Sequence, residues 1–461
     1  MKYMHESKGV NRVLIACKKS IKRQWCAEIR KFTDLGNSMC IMPIEGDKKK
    51  RQKLYDEFKT YRDGVMVMNY HVVMNDYKEL EKMGFDMLVI DEAHCVKART
   101  GEMNGALKKV GKKADYIVFL TGTPIMSKPE DIFGVIQIAD DKYFGKWTDF
   151  QKKHIRIENN GRYQKTIGYK ELDDLRAKVQ DIVIRRTEFE VTLELPETIM
   201  DKIECDIDNT QVKIKEAIQE YKGKLAGTVD TIRNKVSRTP QMQQQLEAAE
   251  GMLKGLIAAD QALANDPRLF HTSKSKAMRE QFGILIPQSY TRSNKMDALI
   301  ELVQTILDAD EKVIIFSKFE TSALLVKSDI ETTLKEKVLL YSGQVGEEER
   351  EQNVELFKNS FDHNVIVGTD AMAEGLNLQV ANHVINFDQP DNPAIKTQRG
   401  GRARRAGSRY KKVFVHDLIT VDSKDVERLA NIERAQGLFD GVVSLNNAQS
   451  EAIKKAIAAE N

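Results

Sequence analysis

The chain has 461 residues, of which 41% are hydrophobic and 31% charged, with 9 prolines and 2 tryptophans. These proportions support packed cores, exclude collagen-like, mucin-like and proline-rich classes, and at ~150 residues per domain allow two large or three ordinary domains. The 72 basic residues against 69 acidic leave a formal charge of +3, so any nucleic-acid contact has to come from local basic patches.

Two regions alternate short apolar runs with amphipathic helical stretches. In the first, strands are expected at Val13 to Ala16, Cys40 to Pro43, Gly64 to Met68, Met87 to Ile90 and Tyr116 to Leu120. They are brief, rich in Val, Ile, Leu and Met, and do not alternate, as parallel strands buried on both faces do not. Ile21, Trp25, Ile29 and Phe32 space a helix between the first two. In the second region the strands fall at Lys312 to Phe316, Val338 to Tyr341, Asn364 to Val367, His383 to Phe387 and Lys412 to His416. The fold class is therefore α/β with two parallel-sheet lobes. Between them, Asn209 to Ala264 is rich in Gln, Ala, Lys and Glu and reads as a helical insertion, broken at Pro240. Ser423 to Asn461 is helical in composition, with a break expected at Gly437 to Gly441. The expected divisions are 1–184, 185–294, 295–425 and 426–461.

Chemistry concentrates at strand ends. The run Met87-Leu88-Val89-Ile90-Asp91-Glu92-Ala93-His94 drives an apolar strand into two adjacent carboxylates. In nucleotide hydrolases an aspartate so placed helps hold Mg²⁺ and the following glutamate polarises water. A bare Asp-Glu pair would more often be a solvated strand end; the apolar lead-in and Asp-Glu-Ala-His favour the chemical reading. Leu120-Thr121-Gly122-Thr123-Pro124 makes a polar turn after the next strand, which alone reads as an ordinary turn. Val367 to Leu378 contains Gly368 and Gly375, which permit close backbone approach to a ligand or merely connect strand to helix. Thr397 to Gly407 carries four arginines; on a helix Arg402 and Arg405 share a face and can clamp a phosphoryl group, or the run is a basic patch. Lys48 to Arg51, Lys108 to Lys113 and Arg399 to Arg409 are further basic stretches, each a phosphate contact or a solvated face.

Taken in order, these segments resemble the Swi/Snf-like branch of superfamily-two DEAH-type helicases, over about residues 10 to 420. Asp91 to His94 resemble its second motif and Thr121 to Pro124 its third. Val13 to Trp25 resembles its VCPxSLxxQW segment, with Lys18 in place of the proline, and Met68-Asn69-Tyr70 the segment that follows. Arg185-Arg186-Thr187 with Leu195-Pro196 is similar to the lobe junction, SNKMDAL at Ser293 to Leu299 to the start of lobe two, and Tyr341-Ser342-Gly343 with Arg350 to the Gly…Arg motif. Thr369 to Leu378 resemble motif five and Gln398 to Gly407 motif six.

The resemblance implies two RecA-like P-loop NTPase lobes closing on ATP with Mg²⁺. By it, Asp91 and Glu92 serve the metal and the hydrolytic water, Gln398 positions phosphates or water, and Arg402 and Arg405 are arginine fingers. His94 and Gly375 would also contact ATP. Lys18, Ser20, Asn69, Thr121, Thr369 and Asn377 would face nucleic acid, namely double-stranded DNA held through its phosphates without sequence preference. An RNA-directed DEAH helicase fits less well, given the lobe junction and the insertion.

The phosphate-binding loop of such enzymes ends in Gly-Lys-Ser/Thr. No GxxxxGK[ST] run occurs in the chain. The expectation is a lobe one without its first strand and loop, a gap and unpaired edges in its sheet, and negligible hydrolysis by these residues alone. A truncated frame, a split enzyme whose second polypeptide supplies the loop, and a non-catalytic DNA-binding or scaffold remnant are the alternatives. Five cysteines, Cys17, Cys26, Cys40, Cys95 and Cys205, form no CxxC pair, and no apolar run approaches the ~18 residues of a membrane span. A cytoplasmic setting, on a nucleoid or in a phage-infected host, is expected.

Overall fold

A computed structural model describes residues 1–121, 128–159, 164–184, 195–235, 237, 239–373, 375–405 and 407–443. The chain divides into two units, Met1–Thr192 with Arg434–Asn461, and Leu193–Glu433. In the first, the five expected apolar runs form β1 (Arg12–Cys17), β2 (Cys40–Pro43), β3 (Gly64–Asn69), β4 (Met87–Asp91) and β5 (Tyr116–Leu120). All pair in parallel, in the order β2-β3-β1-β4-β5. Successive residues of β1 point to opposite faces, so Leu14 and Ala16 enter one core while Val13, Ile15 and Cys17 enter the other. Double burial explains the unbroken apolar runs.

The expected gap in this sheet is not there. Its four ladders are continuous, because β1 carries partners on both sides. The sheet ends at β2 and β5, and the side chains of β5 are mostly half-buried where those of its neighbour β4 are mostly buried. Beyond it, β6 (Ile155–Asn159) and β7 (Gln164–Tyr169) form an antiparallel hairpin that the apolar-run criterion passed over. Its polar, alternating sequence carries no long apolar run.

The second unit holds a six-stranded parallel sheet in the order β10-β11-β9-β12-β13-β8. Five strands were expected: β9 (Val313–Phe316), β10 (Val338–Tyr341), β11 (Val365–Gly368), β12 (His383–Asn386) and β13 (Lys412–Thr420). The sixth, β8 (Glu197–Cys205), was not. It pairs along the whole of β13 as an edge strand, and its mostly exposed sequence ETIMDKIEC carries no apolar run.

The insertion is two helices, Asn209–Arg233 and Pro240–Asn265. Pro240 does break it, at the first turn of the second helix, where Thr239 Oγ1 accepts the Met242 N–H at 3.2 Å. The break expected at Gly437 to Gly441 does not occur: one helix runs Lys424–Val443 through both glycines. An interior glycine costs a helix only ~1 kcal/mol, which the rest of a 20-residue helix can absorb. Among the described residues no helix is long and apolar enough to cross a membrane.

Candidate active site

In the first sheet the chain runs to one side of β1 through β2 and β3, then returns to its other side for β4 and β5. The crevice beyond the carboxyl ends of β1 and β4 is thus a topological switch point, where open α/β sheets bind ligands. Asp91 closes β4 there. Its Oδ2 accepts the Trp25 Nε1–H at 2.8 Å, and its carbonyl accepts the Tyr70 hydroxyl. Trp25 and Tyr70 belong to helices Lys22–Phe32 and Tyr70–Met83, which pack into different cores of the sheet. Burial raises the Asp91 carboxyl above its ordinary range. The Trp25 donor pulls it back, Glu92 adds to the rise and Lys18 opposes it.

Glu92 is left-handed, with φ 50° and ψ 53°. For a residue with a Cβ this costs on the order of 1–2 kcal/mol. The side chain is answered by His94, whose Nδ1 lies 3.2 Å from Glu92 Oε2 and 3.3 Å from Thr121 Oγ1. Burial alone would push the His94 imidazolium down. The Cys95 side chain and then Glu92 overcome it and hold the ring up at about 9. His94 and Glu92 thus lie as a half-enclosed pair beside Asp91.

The donor set fits Mg²⁺ of one kind. Among the described residues no three His, Cys, Asp or Glu side chains converge as a metal cage. Asp91 has one oxygen held by Trp25 and another that is not, which suits an ion held by one carboxylate, waters and substrate phosphates.

The remaining first-unit candidates divide. Lys18 precedes the turn Lys19–Ile21, and its charge bears on Asp91. Ser20 sits in that turn, its side chain outside the described set. Asn69 is a helix cap, its Oδ1 accepting the Val72 N–H at 3.0 Å. Gly122, Thr123, Pro124 and Arg185 to Thr187 lie outside the described residues.

The second unit has its own switch point, between β9 and β12. A Cβ on Gly368 would lie 2.7 Å from the Tyr341 carbonyl oxygen and 2.8 Å from Met372 Cε, so the close turn there demands glycine. Thr369 N–H donates to the Tyr341 carbonyl at 3.1 Å. Gly375 has φ 71°, and Asn377 is exposed, its Oδ1 accepting the Gln379 N–H at 3.4 Å.

Arg402 and Arg405 are not on the helix expected for them. That helix is Pro393–Gly400, capped at Gly401, leaving both arginines in the segment beyond it. Arg402 Nη1 donates to the Leu376 carbonyl at 2.8 Å and its Nε to the Gln398 carbonyl at 3.1 Å. Its own carbonyl accepts Leu378 N–H at 3.1 Å. Arg405 Nε reaches the Gly401 carbonyl at 3.4 Å. Gln398, half-buried, lies in the helix's last turn. The structure therefore joins the Thr369 to Leu378 segment to the arginine turn, within one unit.

Basic stretches are less available for phosphate than their sequence implies. Arg399 is wholly buried. Arg51 is held by Asp76 at 2.6 Å, and Lys108 pairs with Asp141 at 3.0 Å. Trp25, Tyr70 and Arg399 are the residues to which the sequence assigned no such part. Trp25 had a signal, the Gln-Trp pair of the segment it ends.

The family model described as the SNF2-related domain matches residues 1–267, and that of the helicase conserved C-terminal domain matches residues 294–407. Among curated proteins, the putative ATP-dependent helicase/translocase YwqA of Bacillus subtilis is 25% identical over 94% of this chain and 43% of its own length. The ATP-dependent helicase FUN30 of Saccharomyces cerevisiae is 23% identical over 96% of this chain and 43% of its own. The human DNA annealing helicase and endonuclease ZRANB3 is 25% identical over 90% and 34%. The chain spans less than half the length of these relatives. With its SNF2-related match over more than half of its residues, two parallel-sheet units and carboxylates at a strand-end switch point, the chain belongs to the SNF2-related family of superfamily-two helicases.

Proposed function

We propose that the chain is the motor core of an ATP-dependent translocase that tracks double-stranded DNA. The observation that carries this reading is the cluster at the end of β4: Asp91 held by Trp25, and Glu92 paired with His94. It provides a carboxylate for Mg²⁺ and a second, oriented carboxylate for the attacking water. Asp91 would hold Mg²⁺, which when bound would supply neutralisation of the phosphate charge. Glu92 orients water and draws on its proton, while His94 keeps the Glu92 carboxylate aimed. Arg402 and Arg405 answer the developing negative charge. Gln398 positions phosphate or water, and Gly375 allows backbone approach to the nucleotide. Lys18, Ser20, Asn69, Thr121, Thr369 and Asn377 follow the DNA phosphates, and the names of YwqA and ZRANB3 support ATP and DNA as ligands. Such a motor works where the DNA is, at a nucleoid or on phage DNA in a host cytoplasm.

The 461 residues contain no GxxxxGK[ST] run. The β- and γ-phosphates therefore need a loop from outside them, on the same polypeptide or a second one. DNA-stimulated hydrolysis tests both parts. These residues alone should hydrolyse ATP negligibly, and the form joined to a strand and Gly-Lys-Thr loop should hydrolyse it with duplex DNA, losing activity on Glu92→Gln. Robust hydrolysis by the 461 residues would sink the external loop. A loop-bearing form that binds DNA in a salt-dependent way but never hydrolyses ATP would establish a non-catalytic DNA-binding module instead. Stimulation by RNA rather than duplex DNA would reassign the substrate.

A further inference from the structure

Among the described residues Arg399 is the largest wholly buried side chain. It sits in the last turn of the helix Pro393–Gly400, three residues before Arg402. Burying a guanidinium is tolerable only where carboxylates and carbonyls surround it. Arg399 Nε donates to Asp370 Oδ1 at 2.8 Å, and Nη2 lies 2.7 Å from the same oxygen. Nη1 donates to Asn386 Oδ1 at 3.0 Å and to the Asp388 carbonyl at 2.8 Å. The guanidinium also lies 5.3 Å from the centre of the Phe316 ring. One side chain thus ties the helix to the turn after β11 and to the end of β12.

Asp388, itself wholly buried, continues the chain of contacts. Its carboxylate lies 3.7 Å from Arg399 Nη2 and accepts the Ser317 hydroxyl at 2.7 Å and the Lys318 N–H at 2.8 Å. Its fourth neighbour comes from the insertion: Asn265, the last residue of the helix Pro240–Asn265, donates its amide to Asp388 Oδ2 at 3.0 Å. The same amide reaches Ser322 Oγ at 3.1 Å. One turn earlier, Gln261 bonds Asn265 Oδ1 at 3.2 Å and Asp425 Oδ1 at 2.9 Å. Asn265 and Gln261 are both fully enclosed. The hairpin's end is therefore bonded into the polar floor beneath the arginine turn.

We propose that Arg399 and Asn265 are positioning residues for Arg402 and Arg405, and that the helical hairpin sets the arginine turn through the path Asn265–Asp388–Arg399. The Arg399 clamp on Asp370 and the Arg402 bond to Leu376 join the same two segments, three residues apart on one side and six on the other. Loosening Asn265 leaves Asp388 one donor short inside the protein, and the cost is passed to its other partners. Order in the last turn of the insertion becomes a condition for order in the arginine turn. The functional part rests on the reading of Arg402 and Arg405 as phosphate-facing; the mechanical part does not.

Amide hydrogen exchange on the full chain tests the mechanical part, comparing the parent protein with Asn265→Leu, Arg399→Met and Arg399→Lys. Asn265→Leu should speed exchange across residues 393–405 by about tenfold, with β9 and β10 unchanged. Arg399→Met should do the same, and Arg399→Lys should recover part of the protection. If Arg399→Met does not fold, Asn265→Leu and Arg399→Lys carry the test. Faster exchange confined to the insertion, or spread evenly over the unit, overturns the proposal. In a loop-bearing form that hydrolyses ATP, Asn265→Leu should lower kcat by about tenfold or more while KM moves less, since a displaced charge clamp weakens the transition state first. Equal loss in kcat and in folded fraction, or an unchanged kcat, overturns the functional part. If no loop-bearing form hydrolyses ATP, the motor reading fails while the exchange result still decides the coupling.

Discussion

Trp25 donates its indole N–H to Asp91 Oδ2 across 2.8 Å, joining two residues 66 positions apart at the carboxyl end of the first sheet. The bond holds one oxygen of a half-buried carboxylate and fixes its direction. Trp25→Phe keeps the ring and removes the donor. A hydrogen bond to a charged group is worth roughly 1.5–3 kcal/mol, and partial exposure places this one near the lower end. Denaturant unfolding should show a lower midpoint with an unchanged slope. An unchanged midpoint would mean that water replaces the indole without loss.

Lys295 and Asp425 form an ion pair at 2.5 Å with both side chains enclosed. Asp425 also accepts from Gln261 Nε2 and, at 3.2 Å, from the Thr420 N–H. Lys295→Met strands that carboxylate and should cost about 3–5 kcal/mol. The double substitution Lys295→Met with Asp425→Leu should restore most of the loss, because the interior then holds no unpaired charge. A double variant as unstable as the single one would show that the other donors to Asp425, not the ion pair, determine the cost.

Gly368→Ala places a methyl group against the Tyr341 carbonyl oxygen and the Met372 thioether, both under 3 Å away. The carbonyl cannot retreat without disturbing β10, which pairs with β11 at this residue. A cost of about 1–3 kcal/mol is expected. Gly343→Ala, where an added Cβ meets nothing within 4 Å, is the matched control and should be much milder.

Stability should respond to pH with opposite signs in two places. His383 and His416 lie side by side, with Nδ1 of one 3.0 Å from Nε2 of the other, between Glu311 and Asp201. Burial holds both below the usual imidazole range, against the pull of those carboxylates. Their folded forms favour the neutral ring, so their stabilisation is complete above the unfolded value near 6.5 and is lost as pH falls below it. His94 is held up at about 9, so its contribution is complete below 6.5 and is lost as pH rises through 9. Denaturation midpoints from pH 5 to 10 should fall at both ends. His416→Phe should flatten the acid limb and His94→Gln the alkaline limb; either limb surviving unchanged would refute that assignment.

The apolar runs by themselves determined ten of the parallel strands and the place of Asp91 and Glu92, because a strand buried on both faces must be apolar throughout. Pro240 likewise marked the break in the insertion, since a proline lacks the donor that a helix interior requires. Strands with a polar face, β6, β7 and β8, gave no such signal, and β8 became a strand only through its ladder with β13. Burial of charge was decided by tertiary structure alone. Arg399 stands in a basic run that reads as a phosphate contact or a solvated face, yet Asp370, Asn386 and Asp388 enclose it, partners brought together from separate elements. Trp25 and Asp91 meet for the same reason. Periodicity reports which face of an element is apolar, whereas a charge can be enclosed only after several such faces have packed and brought its counter-charges within bonding distance.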